Sequence, residues 1–484
     1  MIREEFKEFP ISKEIIDTLD LLGYKHPTPI QKKAMMPILE GKDVVAKSQT
    51  GSGKTAAFGI PVCEHIVWEE RYPQVLVLEP TRELALQVKE ELFQIGRKKR
   101  IKVPAIFGGM PIQREINTLK QKSHIVVGTP GRVMDHIRRG TFVLEGIRSI
   151  VIDEADLMLD MGFIDEVGEI LKAVLKERKQ LQMSLFSATL EERIQGLVDA
   201  YMKDPVFVEI ASDTKTADSV TQIAYEAEEE DKFQLLMNIL VDKNPKDCMI
   251  FCATREMVQT LCYKLQRKKV RCEMLHGGME QRKRLYAIAD FRKGKYHYLI
   301  TTDVSARGID FDDMELVINY DFPSKRENYV HRIGRTGRKG NRGTAISLIS
   351  SREKQAKKAV ERYIEMEIPV ENSEDIQVTR NQKDAFEMKQ KEKVLIKQGK
   401  EAAFKSEITK LNIGGGKKSK MRAGDIVGAI CNIKGMNQED IGVIDIRDSF
   451  TYVEILNGKG DIACGNLQSK TIKGKIRKVR KMKL

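Results

Sequence analysis

Eight consecutive residues, Ser48-Gln49-Thr50-Gly51-Ser52-Gly53-Lys54-Thr55, combine glycines, hydroxyls and one lysine in a pattern suited to a polyphosphate. Backbone N–H groups of such a loop converge on phosphate oxygens, Lys54 neutralises β/γ charge, and Thr55 can ligate Mg2+. Its first position is Ser48, where the strict phosphate-loop pattern has glycine. Further along, Ile150-Val151-Ile152-Asp153-Glu154-Ala155-Asp156 ends an apolar run in carboxylates. Asp153 is suited to hold Mg2+, and Glu154 to orient or deprotonate an attacking water. An acidic pair at a helix start is by itself an ordinary structural feature. The loop upstream makes it the expected hydrolytic partner. The third constellation, His331-Arg332-Ile333-Gly334-Arg335-Thr336-Gly337-Arg338, is a glycine-spaced arginine cluster. Arg335 and Arg338 there have the form of arginine fingers, groups worth roughly 10³–10⁵ in phosphoryl-transfer rate. A solvated basic loop is the alternative.

These groups need rigid elements to hold them. Strand-like apolar runs occur at Val44–Ala46, Val75–Leu78, Ile125–Val127, Ile150–Ile152 and Ser184–Phe186, each closed by a polar or glycine-containing turn. Helical stretches separate them, which predicts βαβ units on a parallel sheet with functional residues at the strands' carboxyl ends. The rhythm breaks over Asp204–Val220 and resumes at Met249–Cys252, Tyr298–Thr301, Leu316–Asn319 and Ala345–Ile349. The expectation is two α/β domains, 1–208 and 218–370, separated by a cleft, then a charged linker over 371–403. Residues 404–484 read as an α+β module. Asp425–Ile430, Val443–Ile446 and Thr451–Ile455 are its expected strands, Gln438–Ile441 a helix start, and Ile476–Val479 a closing strand. Arg97–Arg100 and Lys176–Lys179 read as solvated ends of charged helices, and Trp68 as a packing residue.

The chain has 484 residues, 41% hydrophobic and 32% charged, in keeping with globular cores. No apolar run approaches the roughly 18 residues of a membrane span, and the charged N-terminus does not resemble a secretory signal. Seven cysteines, with no CxxC pair, suit free thiols in a reducing compartment, so a cytoplasmic protein without membrane contact is expected. The net charge of +13 is uneven: Phe404–Leu484 carries 17 Lys and Arg against 8 Asp and Glu, a surplus of nine. A concentrated basic surplus fits a polyphosphate chain, since each neutralised phosphate releases counterions. A solvated basic tail, or contact with an anionic membrane, is the competing reading.

Asp153–Asp156 spells D-E-A-D, and the motifs around it resemble those of the DEAD-box RNA helicases in their usual order. Pro27-Thr28-Pro29-Ile30-Gln31, preceded by Gly23-Tyr24 and by Phe6, resembles the family's Q motif, spanning 4–32. That similarity implies that Gln31 binds the adenine edge, with Tyr24 packed on the base and Phe6 behind it. A glutamine pairs with adenine N6 and N7, which favours ATP over GTP. Pro80–Ala85 with Thr81 and Arg82, Gly108-Gly109, and Thr129-Pro130-Gly131-Arg132 resemble the RNA-contacting motifs of the first domain. Ser187-Ala188-Thr189 resembles the motif coupling hydrolysis to strand separation, with Ser187 and Thr189 hydrogen-bonded to Asp156. In the second domain, Ile250–Arg255 and Gln281–Arg284 resemble further RNA-facing motifs, placing Arg255 and Arg284 on RNA. Thr302–Asp310 resembles motif V, with Ser305 where alanine is usual. It implies Arg307 on RNA phosphate and Asp310 on the ATP ribose. His331–Arg338 is similar to motif VI without a break.

The resemblance runs from Phe6 to about Ile368 and implies two RecA-like domains with ATP and Mg2+ as cofactors. The last module is similar to that of the DbpA branch, an RRM-like domain that binds a hairpin of the large ribosomal RNA. Gly414–Lys418, Tyr452–Gly458 and Lys473-Gly474-Lys475 carry that similarity. An ordinary RRM stacks bases on aromatics of its central strands. Only Phe450 and Tyr452 are available here, and they read as core residues. Lys417, Lys418, Lys420 and Arg422, with Arg477, Lys478 and Arg480, are the expected RNA contacts instead. The whole reads as a monomeric ATP-dependent RNA helicase acting on a 23S rRNA hairpin and pre-large-subunit particles. Its rivals are a DNA helicase of the same superfamily and an RNA-binding scaffold with a weak ATPase.

Overall fold

Runs such as Val44–Lys47 and Val75–Leu78 are too short for helices and are apolar at almost every position, so they pair as buried strands. The computed structural model describes all residues except 1–3, 49–50, 179, 211–219, 307–308, 310, 312–313, 338–341, 393–403, 405–406 and 483–484. Its first sheet holds β1 (Val44–Lys47), β2 (Val75–Leu78), β3 (Ala105–Ile106), β4 (Ile125–Gly128), β5 (Ser149–Ile152), β6 (Gln182–Ser187) and β7 (Val206–Glu209). The order is β3-β4-β2-β5-β6-β1-β7, parallel throughout. Alternate strand residues face opposite helical layers. Val77 and Phe186 therefore join one core, and Leu76, Ile150 and Leu185 the other. Because β5, β6 and β1 are neighbours, the segments leaving their carboxyl ends converge at one place.

The second sheet repeats the plan with β8 (Val220–Glu226), β9 (Cys248–Phe251), β10 (Cys272–Leu275), β11 (Tyr298–Thr301), β12 (Leu316–Asn319), β13 (Gly343–Ile349) and β14 (Val370–Glu371). Its parallel order is β10-β11-β9-β12-β13-β8-β14. These are two RecA-like domains. The stretch expected as a charged linker is in part folded: the Arg380–Lys391 helix buries Phe386 beside Tyr298, and Gln390 Oε1 accepts from the Arg271 amide at 2.8 Å. One aromatic among many charges was too weak a signal to reveal that packing.

The C-terminal module contains β15 (Thr409–Gly414), β16 (Ile441–Ile446), β17 (Phe450–Ile455), β18 (Thr471–Ile472), β19 (Lys475–Ile476) and β20 (Val479–Met482). Antiparallel strands in the order β16-β17-β15-β20 form its main sheet, and β18-β19 a separate hairpin. Asp425–Ile430, expected as a strand, lies in a helix, Ala423–Cys431. Ile426 and Ile430, four apart, share its buried face, and Asp425 Oδ2 accepts from the Arg422 amide at 2.8 Å to cap it. The first strand is instead β15, where Leu411 and Ile413 point into the core. Phe450 and Tyr452 are not core residues either. They stand on the other face of β17 from buried Thr451 and Val453, with ring centroids 5.0 Å apart.

This module forms one compact unit with the first α/β domain, while the second α/β domain forms another. A buried ion pair marks the seam. Arg97, at the end of the Arg82–Ile95 helix, places Nη2 3.0 Å from Glu454 Oε1 on β17, and both side chains are almost fully buried. Its Nη1 donates to Gln94 Oε1 at 3.0 Å, and its guanidinium lies over the rings of Phe404 and Phe93. Lys102 Nζ donates to the Ile444 carbonyl at 2.7 Å and Arg100 to that of Gln438 at 2.5 Å. Phe404, Ile408 and Leu456 pack on Leu21 and Leu22. The Arg97–Arg100 stretch is thus an interface rather than a solvated helix end, because Glu454 supplies from distant sequence the charge a local reading lacks. Trp68 also departs from expectation. It is 43% exposed, with Lys122 Nζ 3.6 Å from its ring centroid.

Candidate active site and nucleic-acid interface

Gly53, at φ 92°, turns the chain from the glycine-rich loop into the Lys54–Glu64 helix. A left-handed turn of this kind suits glycine, and it aims the first helical N–H groups and Lys54 at one point. Lys54 Nζ sits 2.8 Å from Glu154 Oε1, with side-chain exposures of 5% and 11%. Burial works against the Lys54 charge, but Glu154 and then Asp153 outweigh it and hold the ammonium protonated. Burial also pushes the Asp153 carboxyl up to about 7, with Lys54 pulling the other way. Glu154 has φ 51°, a left-handed conformation that costs a non-glycine residue about 1–3 kcal/mol. The turn swings its amide onto Asp153 Oδ1 at 2.9 Å.

Strand β6 ties loop and carboxylates together. The Ser187 carbonyl accepts from the Ser48 amide at 2.9 Å, while the Ser187 hydroxyl accepts from the Asp156 amide at 3.1 Å. The hydrogen bond expected between Ser187 and Asp156 thus runs through the Asp156 amide, while Asp156 Oδ1 is buried without a partner among the described residues and Thr189 is exposed. Sequence reasoning missed Glu79, which leaves β2 beside β5. It is fully buried, neither carboxylate oxygen has a hydrogen bond, and burial reinforced by Asp153 and Glu154 raises its pKa well above the ordinary value. An acid closing the wholly apolar run Val75–Leu78 was the available signal.

Gln31 is buried against the loop. Nε2 donates to the Gly53 carbonyl at 3.1 Å and Oε1 accepts from the Thr28 amide at 2.9 Å. Tyr24 donates its hydroxyl to Glu91 at 3.0 Å, and Phe6 is a buried core residue. Ser48 Oγ donates to Ser52 Oγ at 2.6 Å, and Thr55 is half-buried in the helix's first turn. Gln49, Thr50, Arg307, Asp310 and Arg338 lie outside the described residues.

The expected RNA contacts of the first domain gather beyond the ends of β2, β3 and β4. Thr81 caps its helix by accepting from the Leu84 amide at 3.2 Å. Arg82 lies against Gly108 and Gly109, and Gly109, at φ 82°, has a left-handed backbone that suits glycine, where a Cβ would also displace the Arg82 guanidinium. Thr129 is the N-cap of the Pro130–Arg138 helix. Arg132 is held by Glu115 at 2.7 Å and by the Met110 carbonyl at 2.5 Å, while Glu115 also accepts from the Phe107 amide at 3.0 Å. In the second domain Arg255 is exposed, Arg284 Nη1 reaches the His276 carbonyl at 3.1 Å, and Arg335 Nη1 reaches the Ile309 carbonyl at 2.6 Å. Arg332, which sequence reasoning gave no role, is buried in a bidentate pair with Asp303 at 2.5 and 2.9 Å. Lys417, Lys418, Lys420 and Arg422 are all exposed on the C-terminal module.

Comparison with known proteins matches this arrangement. Residues 28–197 match the DEAD/DEAH box helicase family, 231–340 the helicase conserved C-terminal domain, and 410–481 the DbpA RNA binding domain. The ATP-dependent RNA helicase DbpA of Bacillus subtilis is 46% identical over 98% of this chain and 99% of its own. The chain belongs to the DEAD-box RNA helicases. Within that family the DEAD-box ATP-dependent RNA helicase CshA of Geobacillus kaustophilus is 42% identical, over 74% of this chain and 76% of its own. The solved structure of S. cerevisiae Dbp5 bound to RNA and ADP BeF3 superposes with a TM-score of 0.69 at 30% identity, covering 81% of this helicase and all of that chain.

This helicase is therefore an RNA-dependent ATPase with a DbpA-type RNA-binding domain. Mg2+ fits the site: Asp153 and Thr55 offer hard oxygen donors, and a carboxyl raised by burial among other acids gains from a nearby cation. No group of three metal-binding side chains occurs among the described residues. No helix of the described residues is long and apolar enough to cross a membrane.

Proposed function

We propose that this helicase remodels short duplexes of the large-subunit ribosomal RNA, held on a 23S rRNA hairpin by its C-terminal module within pre-large-subunit particles. It works as a cytoplasmic monomer. The observation that carries this reading is the buried Lys54–Glu154 pair beside a glycine-rich loop, in one chain with a basic module that matches the DbpA RNA binding domain.

In the proposed cycle, the triphosphate enters the Ser48–Thr55 loop and draws Lys54 from Glu154 onto its β/γ oxygens. Glu154 then accepts a proton from the attacking water. Mg2+, held by Asp153 and Thr55, supplies neutralisation of phosphate charge. Gln31, with Tyr24 and Phe6, favours adenine, and Asp310 takes the ribose. Arg335 and Arg338 meet the developing γ-phosphate charge, so turnover needs the second domain. Asp156, Ser187 and Thr189 couple this step to the RNA. Thr81, Arg82, Gly109, Thr129, Arg132, Arg255, Arg284 and Arg307 hold the RNA backbone, and Lys417, Lys418, Lys420 and Arg422 hold the hairpin. The test is ATP turnover titrated with a large-subunit rRNA fragment and with an unrelated hairpin. Stimulation at lower concentration by the rRNA fragment is expected, and equal stimulation by both overturns the ribosomal target.

A further inference from the structure

The face of the C-terminal sheet that an ordinary RRM offers to bases is divided here. Across β15 and β17, Lys410 pairs with Glu454, Asn412 with Tyr452 and Gly414 with Phe450. The Glu454 end is covered by Arg97 of the first domain, so no base can stack along the whole platform. The Phe450 end opens instead into a groove of about 690 Å3 on the seam between module and first domain. Arg114, Lys120 and Gln121 line it from the first domain, and Lys417, Arg447 and Phe450 from the module. Asp448 is the one acid in the lining. Among the described residues, Arg114, Lys120 and Lys417 carry no ion pair, whereas Arg447 is shared with Asp445 at 2.6 Å. Beside the groove, burial lowers the Lys102 pKa most, Asp445 opposes that, and Lys122 and Arg447 add their repulsion.

We propose that this seam groove is a composite binding site for RNA backbone phosphates, made by docking the module on the first domain through Arg97 and Glu454. The dock holds Lys417 and Arg447 opposite Arg114 and Lys120, so cations from two domains bracket one strand. Phe450 lies at the groove wall as an apolar contact for a base or sugar. The strand leaving the module's hairpin is thereby passed onto the first domain's surface. This inference rests on the module holding RNA, but not on which RNA it prefers.

The test uses the full-length helicase and two probes, a large-subunit rRNA hairpin with blunt ends and the same hairpin with a single-stranded extension. Binding is followed across a salt series. Arg114→Ala with Lys120→Ala should lower the salt slope for the extended probe by roughly 1.4 units, at about 0.7 per lost single-strand phosphate contact. The blunt probe should be unaffected. Arg97→Glu should produce the same selective loss, and Glu454→Arg added to it should restore binding by reversing the pair. An unchanged slope for the extended probe in the Arg114/Lys120 variant, whose changes are on the exposed surface, overturns the groove. So does an equal loss on both probes. Failure to prefer this hairpin over an unrelated one would remove the ribosomal target while leaving the slope comparison intact.

Discussion

At the residue scale, the ATP site is a set of charges held together by mutual need. Burial works against the Lys54 charge, and its 2.8 Å contact with Glu154 helps hold the ammonium protonated. In the proposed cycle a triphosphate competes for Lys54 with a far larger charge, which would release the carboxylate proposed as base. Glu154→Gln should therefore keep ATP and RNA binding and lower turnover by roughly 10²–10⁴, the usual worth of a positioned general base. Lys54→Ala should act differently. It removes the phosphate partner and leaves Glu154 buried without its cation, a loss of about 3–5 kcal/mol for a broken buried pair. Nucleotide affinity and the melting temperature of the nucleotide-free protein should both fall. Near-normal turnover by Glu154→Gln, in a steady-state assay with saturating RNA, would contradict the water-activating role. Lys54, Asp153 and Glu154 were legible because each motif is contiguous. The role of Glu79 was not, since it depends on which strands are neighbours.

At the element scale, the module's basic loop shows how placement is fixed. Lys417 and Lys418 donate their amides to the carbonyls of Arg447 and Asp448 at 2.8 and 2.9 Å, so the loop between β15 and the Ala423–Cys431 helix lies against the β16–β17 turn. Gly416 permits that approach. A Cβ there would overlap the Arg447 carbonyl oxygen and the Asp448 backbone, neither of which is a flexible side-chain tip. Gly416→Ala should push the loop outward, at a cost of about 1–3 kcal/mol typical of overpacking. RNA affinity should weaken while ATP turnover without RNA is unchanged. Equal RNA affinity for variant and wild type would show that the loop's position is unimportant. The six-residue stretch Asp425–Ile430 misled because its apolar content suits either element, whereas β15 hides two core residues among polar ones. The central strands of the two parallel sheets were far clearer, as β2, β4, β9 and β11 are almost wholly apolar. The edge strands β3 and β14, at two residues each, were too short to register, and β7, β8 and β10 went unread because polar residues interrupt them.

At the scale of the whole molecule, the charge surplus after Phe404 and the burial of Arg97 together set what removing the module does. The module's own core, built on Leu411, Ile413, Val453 and Ile455, is separate from the two cores of the first domain. Deleting Phe404–Leu484 therefore takes away Glu454 and the cover over Arg97 at once. Arg97 becomes hydrated instead of stranded, so the loss to the first domain should be smaller than that caused by Glu454→Ala. The latter leaves a guanidinium buried without its partner, costing about 3–5 kcal/mol. Comparing the melting of the two variants checks this order. The deletion should leave nucleotide binding in place, because Lys54, Asp153 and Glu154 are held together by the first domain's own loop and strands. Turnover should then respond about equally to many RNAs, since contacts to phosphate and sugar carry no direct sequence information. Affinity for RNA should also lose much of its salt dependence, because 17 of the chain's 83 Lys and Arg leave with the module. Binding of a large-subunit rRNA fragment and an unrelated hairpin, by full-length and truncated protein across a salt series, reads both effects together. If truncation left the ratio of the two affinities unchanged, the module would supply attraction without selection, and the choice of RNA would have to reside in the two RecA-like domains.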